Sequence, residues 1–239
     1  MMRIAIISGG SGLVGTQLLH QLFKQDQYDR VIAVGRRELT LKHNKLVQIE
    51  VDFNHLNAVN LEEKLREKDI GGLNHSLIKA LDSGTFSMHA YCALGTTIKQ
   101  AGSKEDFYKI DHDFVLSFAR WTAILGATKF LYVSAIGADS NSAIFYNKVK
   151  GEIERDLKPL SFKYIGIFQP SILLGNRKET RIGEDVGKVV MKAVTFFGIY
   201  KKYKPIHDYQ VAKAMLYHAA KDKKGIETIS SREMHQLNL

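Results

Sequence analysis

Tyr146 and Lys150 stand four residues apart in Tyr146-Asn147-Lys148-Val149-Lys150, and Ser134 lies twelve residues before the tyrosine. On a helix, positions i and i+4 project from one face, one turn apart. A free phenol titrates at about 10, and an adjacent ammonium favours the phenolate and draws that value toward neutral pH. Such a phenol passes a proton to or from a carbonyl or alcohol oxygen while a hydride moves. The Ser134 hydroxyl would hold that oxygen in place. Taken singly, each residue has a plainer use. Tyr-x-x-x-Lys pairs occur on ordinary helix surfaces, and a serine after a strand often caps a helix. Their conjunction makes Ser134, Tyr146 and Lys150 the candidate catalytic set.

Positioning them requires a particular frame. The run Phe130-Leu131-Tyr132-Val133 ends at Ser134 and reads as a buried parallel strand. Side chains at the carboxyl end of such a strand face the ligand crevice of a doubly wound sheet. At the amino end, Ile4-Ala5-Ile6-Ile7 runs into Ser8-Gly9-Gly10-Ser11-Gly12-Leu13-Val14-Gly15 and then an amphipathic stretch to Phe23. A strand, a glycine turn and a helix in that order suit a dinucleotide. The glycines allow a tight turn and close backbone approach, and the helix start offers free N–H groups to the diphosphate. Gly9, Ser11, Gly12, Leu13, Val14 and Gly15 are the candidate diphosphate residues; the alternative is a tight turn with no ligand. The next strand ends Gly35-Arg36-Arg37, with no carboxylate where NAD-binding chains hold the ribose 2′-hydroxyl. Two guanidiniums there suit a 2′-phosphate, so the expected cofactor is NADP(H), although arginine pairs are also common on bare surfaces.

Strand-like and helix-like runs alternate through most of the chain, which predicts an α/β fold with a doubly wound parallel sheet, a Rossmann fold. Strands are expected at 3–8, 30–35, 46–51, 88–94, 128–134 and 162–168, and helices at 13–24, 61–68, 105–125 and 144–157. The stretch 70–86 reads as an insertion holding a short helix. After Phe168 the regularity loosens: a helix is expected across 186–197, another at 209–220 and an edge strand at 226–229. The whole chain, 1–239, is expected to be one domain, with 171–239 forming a small substrate-side cap.

At 239 residues the chain is long enough to bury a sizeable core, and its 45% hydrophobic share with 3 prolines argues for a globular protein. The single cysteine, Cys92, sits in an apolar run and reads as a buried structural thiol. The histidines show no ligand spacing, so no metal is expected. Net charge is +9, with excess lysine near 42–45, 201–204 and 221–224. No nucleic-acid fold signature accompanies that charge, so no nucleic-acid partner is expected. No run is long enough to span a membrane; the basic stretch 186–203 allows weak peripheral association, and a packed helix is the favoured reading. No signal peptide is apparent, and the expected setting is the cytoplasm.

Taken together, the glycine turn, Ser134, Tyr146 and Lys150 resemble the short-chain dehydrogenase/reductase superfamily over nearly the whole chain. Val-Gly-Arg-Arg (34–37), Val-Asp-Phe (51–53), Leu-Gly-Thr-Thr (94–97), Ser-Ala-Ile-Gly-Ala-Asp (134–139), Tyr-x-x-x-Lys-Gly-Glu (146–152) and the segment from Pro170 to Arg181 resemble an atypical branch. That branch is similar to the Tat-interactive oxidoreductase of animals. The resemblance implies an NADPH-binding Rossmann domain with Arg36 and Arg37 at the 2′-phosphate and Asp52 and Phe53 at the adenine. Leu94, Gly95 and Thr96 would lie along the cofactor, with Tyr146 and Lys150 also in contact with it and Pro170 and Ser171 bordering the nicotinamide. Asp52 also suits a plain capping role.

Two positions depart from the pattern. Gln169 stands where many relatives carry arginine, and Asp111 where the wider superfamily often carries asparagine. The implied activity is reduction of a small carbonyl substrate. The alternatives are an NADPH-binding scaffold acting through protein partners, and a sugar-nucleotide epimerase or dehydratase.

Overall fold

Ile4 and Ile6 turn to one face of strand β1 (Met2–Ser8) and Ala5 and Ile7 to the other, and all four are fully buried. A strand covered on both faces needs a continuous apolar run, and this one nucleates the sheet. The computed structural model describes residues 1–69, 72, 74–175 and 204–237. In chain order the further strands are β2 (Arg30–Gly35), β3 (Leu46–Glu50), β4 (Phe86–Cys92), β5 (Ala127–Val133), β6 (Tyr164–Gln169), β7 (Leu173–Leu174), β8 (Ile206–His207) and β9 (Gly225–Ser230). Seven of them form one sheet in the order β3-β2-β1-β4-β5-β6-β9, every neighbouring pair parallel. The direction of winding reverses between β1 and β4, which opens a crevice at the carboxyl ends of those strands.

The helices, numbered by position, are α1 (Leu13–Lys24), α2 (Leu61–Glu67), α3 (His75–Asp82), α4 (Ile98–Ala101), α5 (Lys104–Tyr108), α6 (Phe114–Ile124), α7 (Phe145–Leu157), α8 (Asp208–Ala220) and α9 (Ser231–Gln236). Leu18, Leu19 and Leu22 of α1 pack with Val211, Met215 and Ala219 of α8 over one face of the sheet. The helices α2, α3, α6 and α7 cover the other face through Leu65, Leu77, Phe118 and Ile153. The doubly wound Rossmann architecture expected from the alternation is therefore what forms.

Three local features differ from the periodic reading. The single helix expected at 105–125 is α5 and α6 joined by a π-helical segment, Lys109–Asp113, which carries Asp111 and His112 into the interior. Asp52 starts a 3-10 segment, Phe53–Ala58. The 70–86 stretch contains α3, whose Leu77 and Ile78 join the core, and it delivers Thr85 to the amino edge of the sheet, where its carbonyl accepts from the Met2 amide at 3.0 Å. That edge is opposite the crevice, so this end of the insertion does not border the site.

Both later elements of the tail form. Helix α8 lies against α1, with Gln21 Nε2 donating to the Tyr209 carbonyl at 3.1 Å, and β9 completes the main sheet. At the carboxyl edge β7 and β8 pair in a separate two-stranded sheet. The helix expected across 186–197 and the basic stretch 186–203 lie outside the described residues. Among the described residues no helix is long and apolar enough to cross a membrane.

Candidate active site

The glycine turn is shaped by contacts that no other residue fits. Gly9 has φ +83°, and a Cβ on it would lie 2.4 Å from the Ala93 carbonyl carbon. A Cβ on Gly15 would lie 2.0 Å from the Gly9 oxygen. Both positions let α1 spring directly from the end of β1. Gly12 is the N-cap of α1, with no side-chain capping bond and no acidic residue in the first turn. The first-turn amides are thus left without a side-chain acceptor at the positive end of the helix, which suits a dinucleotide's diphosphate. Ser11 is exposed at the turn, whereas the Val14 side chain belongs to the core.

Arg36 and Arg37 follow β2 on the surface, and neither guanidinium has a hydrogen bond or ion pair among the described residues. The nearest carboxylate in sequence, Glu38, is paired with Lys68, which holds it below the usual carboxylate range. Asp52 Oδ1 accepts from the amide and the side-chain nitrogen of Asn54, at 2.9 and 2.7 Å, so the residue caps the 3-10 segment. Phe53 is buried against Phe114, with ring centroids 5.3 Å apart. Its side chain is core, which leaves only its backbone to face a ligand.

Tyr146 and Lys150 do share one face of α7. Lys150 is 3% exposed; its Nζ lies 2.8 Å from Asp111 Oδ1 and donates to Tyr132 Oη at 3.1 Å. Asp111 is 0% exposed, and its second oxygen accepts from the Thr96 amide at 2.8 Å. The carboxylate therefore joins Lys150 to the loop 94–97 after β4. Gly95 borders this junction: a Cβ there would stand 3.4 Å from Asp111 Oδ1 and 3.8 Å from Lys150 Nζ, in ordinary contact with both. Desolvation pulls the Lys150 ammonium down, but Asp111, Tyr132 and Tyr146 outweigh it and hold it well above the ordinary lysine range.

Tyr146 packs beside Phe107, with ring centroids 5.6 Å apart. Its phenol does not move toward neutral pH as expected. Burial pushes it above the usual tyrosine range; Lys150 pulls down, and Asp111 pushes up again. Sequence spacing gives the ammonium but not the burial of the phenol, which is why the expected sign is reversed.

The Ser134 side chain is engaged by a different partner. Its hydroxyl is hydrogen-bonded to Glu154 Oε1, and Gln169 Nε2 donates to both oxygens of Glu154 at 2.9 and 3.1 Å. Glu154 is eight residues along α7 from Tyr146, about 12 Å of helix rise. No hydrogen bond joins Ser134 to Tyr146 among the described residues. Pro170 is buried, its carbonyl accepting from the Ile136 amide at 2.9 Å. The Ser171 hydroxyl donates to the Lys204 carbonyl and accepts from Ser231 Oγ at 3.0 Å, tying the chain after β6 to α9. Cys92 is fully buried, with its thiol pushed up to about 12 by desolvation, as suits a structural residue.

The NAD dependent epimerase/dehydratase family matches residues 5–156, more than half of the chain. The protein belongs to that family. Among its relatives, Protein HTATIP2 of Rattus norvegicus is 34% identical over 185 residues, 76% of this chain and 67% of that protein. The mitochondrial protein FMP52 of Meyerozyma guilliermondii is 31% identical over 229 residues, covering 93% and 88% of the two chains. The atypical branch read from the sequence is thus confirmed. UDP-glucose 4-epimerase of Thermotoga maritima, solved with UDP-glucose, superposes with a TM-score of 0.61 at 15% identity over 96% of this chain and 77% of its own. A short chain dehydrogenase family protein of Francisella tularensis superposes with a TM-score of 0.59 at 14% identity over 99% and 100%. These two show the shared Rossmann-like fold.

In this epimerase/dehydratase-family chain the sequence reading missed Tyr132, Glu154 and the orientation of Asp111. Tyr132 carried a signal, since it lies two residues before Ser134 and so shares its strand face. Glu154 continues the 146, 150 series by one further turn. The inward turn of Asp111 depends on the π-helical segment, for which the apolar pattern gives no sign.

Proposed function

We propose that the protein is an NADPH-dependent oxidoreductase that reduces a small carbonyl substrate, with Tyr146 as proton donor. The observation that carries this reading is Tyr146 one helical turn from Lys150, a buried ammonium 2.8 Å from Asp111 Oδ1. The first turn of α1, with Gly9, Gly12 and Gly15, would take the diphosphate, and Arg36 and Arg37 the 2′-phosphate. Bound there, the reduced dinucleotide supplies the hydride that adds to the carbonyl carbon. Tyr146 Oη gives its proton to the carbonyl oxygen, so an alcohol leaves and the phenolate regains a proton from solvent. Lys150, one turn along the same helix, would stabilise the phenolate in that interval. Ser134 donates to Glu154 and would serve the substrate only by releasing that bond.

Titration with NADPH and NADH, followed by nucleotide fluorescence, tests the cofactor. Tight NADPH and weak NADH binding is expected, and binding of neither nucleotide would give precedence to a scaffold role. With NADPH and a panel of aldehydes, ketones and quinones, Tyr146→Phe should lower turnover by about 10²- to 10⁴-fold while NADPH affinity stays unchanged. Full turnover in that variant would remove Tyr146 from the reaction.

A further inference from the structure

Leu39 fixes where the arginine pair sits. Its side chain packs over the glycine turn, where a Cβ on Gly10 would lie 3.1 Å from Leu39 Cδ1. Its amide donates to Gln48 Oε1 of β3 at 2.7 Å, and Gln48 Nε2 donates back to the Leu39 carbonyl at 3.1 Å. The segment 36–38 is therefore held between the glycine turn and β3, at the carboxyl edge of the sheet. Two carboxylates share that place with Arg36 and Arg37. One is Glu38, in the same segment; the other is Glu50, which stands opposite Gly35 in the β2–β3 register. Lys68, the residue that ends α2, reaches both. Its ammonium is bonded to Glu38 Oε1 and lies 3.9 Å from Glu50 Oε1.

Exposed pairs of this kind add little to folding stability. What Lys68 changes is the charge presented beside the crevice. A 2′-phosphate next to two bare carboxylates would be repelled, whereas a ribose 2′-hydroxyl can donate to either of them. We propose that Lys68 is a specificity-determining residue for the nucleotide. It occupies Glu38 and Glu50, so that Arg36 and Arg37 address the 2′-phosphate unopposed and a 2′-hydroxyl finds no open acceptor. The arginines supply attraction, and Lys68 removes the repulsion. Lys42 adds a second, weaker cation near Glu38. This inference rests on the reading of Arg36 and Arg37 as the phosphate site.

Direct binding of NADPH and NADH, followed by nucleotide fluorescence in about 20 mM salt, tests it without turnover. Lys68→Met makes the local charge more negative by one unit against a phosphate carrying about two. NADPH affinity should then fall about tenfold, while NADH affinity holds within about twofold or rises. Lys68→Arg should keep the wild-type preference, since a guanidinium also binds carboxylates. Lys68→Met/Glu38→Gln restores the net charge and should return the preference to within about threefold of wild type. An unchanged preference in Lys68→Met, or an equal loss for both nucleotides, would overturn the proposal. So would failure of the double variant to recover, which would put Lys68 on the phosphate itself. A wild type that binds NADH as tightly as NADPH would end the reading of the arginine pair and this inference with it. A wild type that prefers NADPH keeps that reading, whatever Lys68→Met does.

Discussion

Gln169 Nε2 reaches both carboxylate oxygens of Glu154, and the Ser134 hydroxyl reaches one of them. The position where many relatives carry arginine thus supplies an uncharged donor, and the link to α7 is made by an amide. Glu154 is left half-buried with no ion-pair partner among the described residues. Desolvation raises its carboxyl above the usual glutamate range, more than the bonds from Ser134 and Gln169 and the nearby Lys150 and Lys158 lower it.

That arrangement has a pH signature. Below the unfolded glutamate pKa of about 4.3 both states hold the proton and Glu154 is neutral in each. As pH rises past it, the unfolded chain ionises first, so the folded state loses stability until the folded Glu154 also ionises. Glu154→Gln lacks this titration. Urea midpoints of wild type and variant, compared at about pH 4 and pH 7.5, should therefore separate in the variant's favour at the higher pH. A difference that does not change with pH would mean that burial does not govern this carboxyl.

Arg36 and Arg37 are exposed, with no ion-pair partner among the described residues, and Lys68 pairs with Glu38 beside them. A 2′-phosphate there would meet two guanidiniums and no bare carboxylate. Replacing both arginines with alanine should weaken NADPH binding by about 10- to 100-fold, or about 1.4–2.8 kcal/mol. NADH affinity should move by less than about twofold, because that nucleotide has no phosphate at the position. Parallel fluorescence titrations measure both, and an equal loss for the two nucleotides would assign the arginines a structural role.

The frame was far more legible than the wiring of the site. Continuous apolar runs such as Ile4 to Ile7 can only be strands covered on both sides, and Gly9, Gly12 and Gly15 mark the first crossover. Tyr146 and Lys150 were found because helical spacing alone puts them together. What spacing could not give was the third dimension. Asp111 is distant in sequence from Lys150 and is turned inward by a π-helical segment. The sequence pairs Ser134 with Tyr146 because both belong to segments that end at the crevice, yet the Ser134 hydroxyl is bonded to Glu154. Asp52 fitted both a ligand role and a cap, and the bonds from Asn54 show the cap in place.

The ion pair of Asp111 and Lys150 should also be visible in stability. Lys150→Met would leave a fully buried carboxylate that keeps the Thr96 amide as a donor but loses its cation. Stranding one partner of a buried pair costs about 3–5 kcal/mol. Replacing both, as Asp111→Asn/Lys150→Met, should recover a large part of that loss, since no bare charge remains. Chemical denaturation of the wild type, the two single variants and the double variant measures the coupling. If the double variant lost the sum of the two single effects, the residues would not act as a pair.

Gly151, directly after Lys150, sets how closely α7 can approach the loop that follows β5. A Cβ there would lie 2.1 Å from the Ser140 amide nitrogen and 2.2 Å from the Asp139 carbonyl carbon. Both are backbone atoms, so no side chain can swing aside and the helix itself must move. Gly151→Ala should cost about 1–3 kcal/mol, the usual range for overpacking a filled site. It should also disturb Tyr146 and Lys150, which ride on the same helix. Gly84, at φ +64° with no atom within 4 Å of a Cβ, is the control. Alanine there should cost about 1 kcal/mol from backbone strain and leave nucleotide-dependent turnover unchanged. Equal behaviour of the two variants in urea and in the activity panel would show that α7 is free to shift outward without consequence for the site.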